Sequence, residues 1–583
     1  MNLQRFRQDT MADKKNGLDE EAPPQAPEQE KLLEESQTTV VFSKPSPDAT
    51  NGDAKIDLGT TGLASAGLKK EELLKFANDP FWVRLRWLLF ILFWLTWLAM
   101  LVGAIYIVVV APKCPAPEPR IWAEKGQLVS VDVGADANGF EALLDMLPEL
   151  KEASAAGVLL NNVLKSDANG IVDYGDVNSK LGNLEQFQLL TSKFYDAGVK
   201  VILAININHV SKNHKWFNLS LNATGDYADF FLWKKGGTVQ SADGTPEPPN
   251  NWLSIPSGSA WQYVAARKQF YYHQHGVEQP DLNLRSANLQ KELKKILRTW
   301  RGQRISGFLF QDASYLTEDE NLANELNADN PSDATFTDYA FYQHTNTKNR
   351  NENVQILKIF KDELLSEKDD RENKIIFAAD VDGTAEEVAK YYGTERPPAV
   401  VELPLNRLAK ADVSTAESLR ASVMKYYKSA GENWPNWFLS QEVANQGLVT
   451  ALALLPGTFI YQPKSDLQNL NSSDIFETIH KVQHERELPS ITYGGLDARV
   501  LEESVFAYTR SKSGNPGYMI LYNAGPGAKN VSAAGFQGVP NILSVVHQTS
   551  DESRLPPKSK VSIDSVPVQE KEAIVLTFVP QKN

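Results

Sequence analysis

Three kinds of residue in this 583-residue chain have types and spacing that could do chemistry. Cys114, in the string PKCPAP, is the only cysteine. A lone thiol cannot close a disulfide within its own chain, so its partner, if it is oxidised, is another polypeptide. Asn218, Asn222, Asn471 and Asn530 each open an Asn-X-Ser/Thr sequon, a glycan acceptor wherever the chain faces an extracellular compartment. Eight histidines form no HExxH pattern. His273 and His275 share a strand-like spacing, but a zinc site needs three or four ligands, so core or surface roles and no metal are expected for them. No glycine-rich phosphate loop is present, and no cofactor is expected.

The elements that must position these residues begin with an apolar run. Residues 87–111, WLLFILFWLTWLAMLVGAIYIVVVA, carry no charge. As a helix they span about 37 Å, enough to cross a hydrocarbon core of about 30 Å. Cys114 follows three residues beyond the run, inside a proline-rich stalk at 112–120 that would hold it close to the bilayer. Lys69, Lys70, Lys75, Arg84 and Arg86 precede the span, against Lys113, Arg120 and Lys125 after it. This bias places the N-terminus in the cytoplasm and everything after the span, all four sequons included, outside. Ala99 and Gly103, one helical turn apart, would let another helix approach closely.

Residues 1–68 are rich in proline, acids and small polar residues and nearly devoid of aromatics, the composition of a disordered cytoplasmic tail. Residues 69–86 form a juxtamembrane segment whose first part, KKEELLKFANDP, reads as a short helix. The net charge of −14 and pI of about 5.3 exclude nucleic acid as the main partner, since phosphate binding needs a basic surface. Membrane lipid is the expected surrounding of the span.

Beyond the stalk, short β-branched runs alternate with amphipathic stretches. QLVSVDV, GVLLN, VKVILAININ, ISGFLF (305–310), KIIFAA (374–379), PAVVEL (398–403), NWFLS (436–440) and GTFIY (457–461) read as strands separated by helices. This α/β alternation implies a parallel sheet. About eight units over roughly 370 residues fit a closed (β/α)8 barrel with insertions, at 121–498, with a doubly wound open sheet as the alternative. From Arg499 to the last residue the pattern changes to short strands broken by Gly, Pro, Asn and Ser, a separate antiparallel β domain at 499–583.

Specific strings carry a resemblance. IVDYGDVNSKLGNLEQFQLL, VKVILAININHVSKNHKWF, PPNNWLSIPSGSAWQY, EQPDLNLRS and LLPGTFIYQ resemble the α-amylase family of glycoside hydrolases over roughly 121–580. The resemblance implies a (β/α)8 barrel, a small inserted domain at about 210–285 and a C-terminal β-sandwich. It also implies where the carboxylates of retaining glycoside hydrolysis should stand. The third-strand pattern asks for Asp where Ala204 stands, although Asn208 and His209 remain. The fourth asks for Arg and a nucleophilic Asp where Leu309 and Gln311 stand. The fifth asks for Glu, and the nearest match is Asp380, one methylene short. The seventh asks for Asp where Val443 stands. Asp312 adjoins the nucleophile position, but a one-residue slip turns a strand side chain to the opposite face, so it would need a bulge to reach the centre. Asn208, His209 and the Asp173-Tyr174 pair read as structural remnants, and no hydrolase activity is expected.

A span followed by a juxtamembrane cysteine and a defective amylase-like ectodomain resembles the heavy chains of the heteromeric amino acid transporters, of the 4F2 heavy chain type. That resemblance implies a polytopic light chain disulfide-bonded through Cys114, a plasma-membrane location and a non-catalytic role in delivering and stabilising the light chain. The retained inserted domain is more similar to the related heavy chain of the cystine and dibasic amino acid transporter, whereas the absence of further cysteines favours the 4F2 type. Two other functions fit the same features: a membrane-anchored α-glucosidase with Asp312 and Asp380 as relocated carboxylates, and an adhesion or signalling receptor.

Overall fold

The computed structural model describes residues 70–111, 119–134, 139–239, 244–329, 333–365, 373–393, 399–463, 474–550 and 553–581. Cys114, Asn471 and the 1–68 tail lie outside them. The chain divides into two compact units, Met1–Cys114 and Pro115–Asn583.

In the first unit a short helix, Lys70–Ala77, precedes a 31-residue helix, Pro80–Val110. Asp79 caps the long helix by accepting from the Phe81 N–H at 2.8 Å, and Pro80 occupies the first turn, where its missing N–H costs nothing. Thirty-one residues make about 46 Å of helix. None of its side chains is buried, and among the described residues it is the one helix long and apolar enough to cross a membrane. The lone hydroxyl in its middle, Thr96, donates back to the Leu92 carbonyl at 2.8 Å. Ala99 and Gly103 are exposed to partly exposed, and a Cβ built on Gly103 would meet nothing within 4 Å.

The second unit is built on eight parallel strands: β1 (Gln127–Asp132), β2 (Ala155–Asn161), β3 (Lys200–Asn206), β4 (Gly307–Gln311), β5 (Ile376–Asp380), β6 (Leu403–Leu405), β7 (Asn436–Ser440) and β8 (Thr458–Gln462). Their order in the sheet is β6-β5-β4-β3-β2-β1-β8-β7. The ends meet where Phe438 N–H donates to the Asn406 carbonyl and Leu408 N–H to the Phe438 carbonyl, both at 3.0 Å. The sheet is therefore a barrel rather than an open doubly wound sheet. Its sixth strand begins at Leu403, later than the PAVVEL run suggested.

Alternation sends Leu128, Leu159, Ile202, Leu309, Ile376, Leu403, Phe438 and Ile460 into the barrel, where they form one buried cluster. The short helix Trp122–Lys125 plugs the bottom, with Trp122 Nε1 donating to the Lys374 carbonyl at 2.8 Å. Outside, amphipathic helices cover the strands. Ala287–Gly302, capped by Ser286, buries Leu289, Leu293, Leu297 and Trp300 at helical spacing.

Between β3 and the Ala287 helix lies an insertion with a helix, Lys215–Ser220, and a three-stranded sheet of Trp233–Lys234, Gln269–Tyr272 and Trp261–Val264. C-terminal to the barrel, six antiparallel strands run in the order Gly495–Leu501, Val505–Ser511, Gly517–Asn523, Ala573–Phe578, Ile542–Gln548, Lys560–Ser562. The first of these crosses the Arg499 boundary expected from sequence. One face of this sheet, with Tyr508, Ile520 and Val575, joins the barrel's outer core. The other, with Val505, Met519 and Leu576, packs under a two-stranded ribbon of Lys529–Val531 and Val566–Val568.

A candidate functional site at the barrel mouth

The alternation that fills the barrel with Leu and Ile delivers polar side chains at the C-terminal strand ends, where barrel enzymes place their chemistry. Asp132, Asn161, Asn206, Gln311, Asp380 and Gln462 stand there, and several satisfy one another. Gln462 Nε2 donates to Asp132 Oδ2 at 2.7 Å, and Asn161 Nδ2 to Ser130 Oγ at 3.2 Å.

Ala204 and Leu309 sit one layer deeper. They face each other in register between β3 and β4, and both are buried in the apolar interior. Asn206 and Gln311 pair above them in the same register. Val443 lies in the turn after β7, its N–H on the Ser440 carbonyl, packed against the outer core. None of these positions supplies a carboxylate.

Asp312 reaches the mouth without a bulge: β4 pairs with both neighbours free of register shifts. Instead its own backbone is left-handed, at φ 52° and ψ 33°. That conformation is unfavourable for most residues and tolerated by Asp, and it turns the carboxylate inward. Asp312 Oδ2 accepts from Asn206 Nδ2 at 2.8 Å and lies 4.0 Å from His209 Nδ1. Burial raises its pKa, His275 opposes that, and the charge of Asp380 adds to it. Asp380 itself accepts from both ends of the Arg407 guanidinium, at 2.8 and 3.0 Å. Asp312, Tyr315, Asp380, Asp382 and Arg407 line a cavity of about 340 Å³. On its rim Lys348 pairs with Asp382 at 2.6 Å.

Behind this cavity lie buried groups. The His209 and His275 rings are 4.6 Å apart, and burial pushes both below the ordinary histidine value, with the charge of Asp312 opposing it at His275. Asn208 Oδ1 lies 2.9 Å from His209 Nδ1, and Asn208 Nδ2 donates to Asp281 Oδ2 at 3.1 Å and to the Tyr315 carbonyl at 2.5 Å. Asp281 and Glu318 are both fully enclosed. Burial raises both carboxyls, that of Glu318 to about 7, and Glu318 Oε1 has no hydrogen-bond partner among the described residues. The charge of Glu318 adds to the rise at Asp281. One set of side chains could hold a cation: His209, His275 and Asp312, whose ligand atoms lie within 4.8 Å of one another.

The two histidines paired by spacing have separate surroundings. His273 bonds Ser254 Oγ at 3.0 Å, whereas His275 meets His209 and the Tyr315 ring. Tyr174 is buried, donates to the Asn206 carbonyl at 2.6 Å and stacks on Trp216, while Asp173 caps its own turn by accepting from Gly175 N–H. The sequence reading missed the His209–His275–Asp312 convergence because its members come from three distant segments. Of the described sequons, Asn218, Asn222 and Asn530 are all exposed. The Ser220 hydroxyl of the first is buried on the Phe217 carbonyl, and Asn530 exchanges hydrogen bonds with Ser565 at 2.8 and 2.9 Å.

Residues 134–449 match the alpha amylase catalytic domain family, and residues 53–129 match the solute carrier family 3 member 2 N-terminus. The chain is 29% identical to the human "Amino acid transporter heavy chain SLC3A1" over 445 residues, covering 71% of this chain and 63% of that one. Against the rat protein of the same name it is 28% identical, covering 64% and 56%. It therefore spans less than two thirds of the length of these relatives. The Anopheles gambiae "Salivary alpha-glucosidase" is 31% identical over 49% of this chain and 50% of that protein. Among solved structures, the α-glucosyl transfer enzyme XgtA superposes with a TM-score of 0.64 at 16% identity, covering 79% of this chain and all of that one. The Bacillus licheniformis trehalose-6-phosphate hydrolase gives 0.63 at 16% identity with the same coverage. At that identity the likeness concerns the fold.

Proposed function

Since the chain belongs to the alpha-amylase family and joins that family's barrel to a solute carrier family 3 member 2 N-terminus, we propose that it is the non-catalytic heavy subunit of a heteromeric amino acid transporter. The observation that carries this reading is that junction on one chain: an N-terminal segment of transporter-subunit type, containing one apolar 31-residue helix, leads directly into the barrel. The relatives named as amino acid transporter heavy chains support it.

The mouth chemistry supports the non-catalytic part. Retaining glycoside hydrolysis needs a carboxylate nucleophile and a carboxylic acid about 5–5.5 Å apart. At Gln311 an amide replaces the nucleophile and cannot form a glycosyl ester. Both oxygens of Asp380 are taken by Arg407.

In this proposal Cys114 forms the disulfide to a polytopic light chain, and the Ala99–Gly103 face of the span offers that partner a close helix contact. The N-terminus is cytoplasmic, the barrel is extracellular at the plasma membrane, and Asn218, Asn222, Asn471 and Asn530 are the glycan acceptors. The test is a non-reducing gel of native membranes. A high-mass band should collapse with reductant and vanish in Cys114→Ser, and mass spectrometry of that band should return a multi-span transporter. A chain that runs as a monomer without reductant and brings down no such protein would sink the proposal.

One observation favours the α-glucosidase reading: Asp312 and Asp380 line the same cavity. Assay of the purified chain on maltose and aryl glucosides separates the two. No turnover above background is expected. Robust turnover abolished by both Asp312→Asn and Asp380→Asn would replace the proposal.

A further inference from the structure

We propose that His209, His275 and Asp312 form a binding site for a zinc-type divalent ion, which ties the inserted domain to the barrel mouth. One ligand atom of each residue lies within 4.8 Å of those of the other two. Ligands about 2.0–2.1 Å from a tetrahedral ion are roughly 3.3 Å apart, so closure takes side-chain movements of about an ångström. The adjoining cavity, lined by Asp312 and Tyr315, leaves room for them and an open fourth position for water.

Four features mark a built site. Asp312 is held in a left-handed conformation that departs from strand alternation and aims its carboxylate at the imidazoles. His275 Nε2 is buried and has no hydrogen-bond partner among the described residues. His209 is oriented by Asn208 Oδ1, 2.9 Å from Nδ1, the outer-sphere arrangement that fixes a ligating imidazole, and the Gln279 amide, 3.3 Å from Nε2, is the contact that an ion on Nε2 would displace. The Asn206 amide donates to Asp312 Oδ2 at 2.8 Å and lies beside the His209 ring, 3.5 Å from Nδ1 and 3.4 Å from Nε2, so it bridges carboxylate and imidazole in the absence of an ion.

Two imidazoles and one carboxylate suit zinc or cobalt. Calcium and magnesium prefer oxygen ligands alone and suit this mixed set poorly. The ligands come from the segment after β3, the inserted domain and the end of β4, so the ion would cross-link segments that no covalent bond joins.

The test uses the full-length chain in detergent, titrated with Co2+ and followed by its visible ligand-field bands, with Zn2+ as competitor. The wild-type chain should take up one Co2+ with tetrahedral-type bands that Zn2+ abolishes. Asp312→Asn and His275→Gln should each weaken uptake by more than about a hundredfold. Thermal melts without metal establish that each variant folds, and the partly exposed Asp312 carries the test if His275→Gln does not. The proposal is overturned if Asp312→Asn keeps the wild-type affinity and spectrum. It is equally overturned if neither metal binds, or if Ca2+ alone raises the melting temperature and does so unchanged in Asp312→Asn.

Discussion

At the scale of single residues, one facing pair just below the mouth is apolar on both sides. Ala204 and Leu309 occupy facing positions where the amylase pattern asks for Asp and Arg. Ala204 is 4% exposed and Leu309 1%. Restoring one partner alone would bury an uncompensated charge, which costs about 3–5 kcal/mol, a large share of a typical stability of about 5–15 kcal/mol. Ala204→Asp is therefore expected to lower the thermal midpoint sharply. Leu309→Arg added to it should recover at least about 1 kcal/mol of coupling, measurable in a double-mutant cycle. Strictly additive losses would show that the two positions do not address one another. By contrast, Asp380 and Arg407 are each more than a third exposed, so their ion pair fixes geometry and adds about 0–1 kcal/mol at most. The placement of Ala204, Leu309 and Gln311 was legible in the sequence because each falls inside a short strand pattern, whereas Val443 lies in the turn after β7. The placement of Asp312 was not: strand alternation assigns it to the wrong face, and only its left-handed backbone turns it inward.

At the scale of elements, apolar runs marked seven of the eight barrel strands, since their inward and outward residues are both apolar, whereas the sixth, Leu403–Leu405, meets the expected run at one residue only. Hydrophobic period failed where packing is one-sided. The hairpin of Leu164–Asp167 and Gly170–Val177 is short and mixed in polarity, and Gly495–Leu501 is half-buried along nearly its whole length, so neither shows a clean alternation. One cap has a consequence in pH. His214 precedes the Lys215–Ser220 helix, and its Nδ1 accepts from the Trp216 N–H at 3.1 Å. Burial, helped by the charge of Lys215 and opposed by Asp173, pushes its pKa down to about 4. The unfolded chain, with an ordinary histidine near 6.5, binds the extra proton first as pH falls. The stabilisation is complete above about pH 6.5 and is lost between there and about pH 4, amounting to roughly 3 kcal/mol. His214→Asn keeps a capping acceptor and removes the titration. Urea midpoints of wild type and variant across that window should converge as pH falls. Parallel curves would mean that His214 titrates alike in both states.

At the scale of the whole molecule, the proposed subunit would meet its partner through one covalent bond and through surfaces that need none. A disulfide between two bound chains acts chiefly as a tether, raising the effective concentration of the remaining contacts to the order of millimolar. If those contacts alone bind in the micromolar range, about three orders below, the complex stays nearly saturated in the membrane without the tether. Cys114→Ser should then abolish the high-mass band while leaving light-chain delivery to the cell surface only modestly reduced. The loss should appear on dilution. In detergent, where the two chains no longer share a membrane, the variant complex should dissociate over a concentration range in which the wild type stays whole. Surface biotinylation and size exclusion at serial dilutions read the two effects separately. Complete loss of surface light chain in Cys114→Ser, with the heavy chain still folded and delivered, would make the bond itself the essential contact. Equal dilution behaviour of the two forms would instead show that the thiol contributes nothing to the assembly.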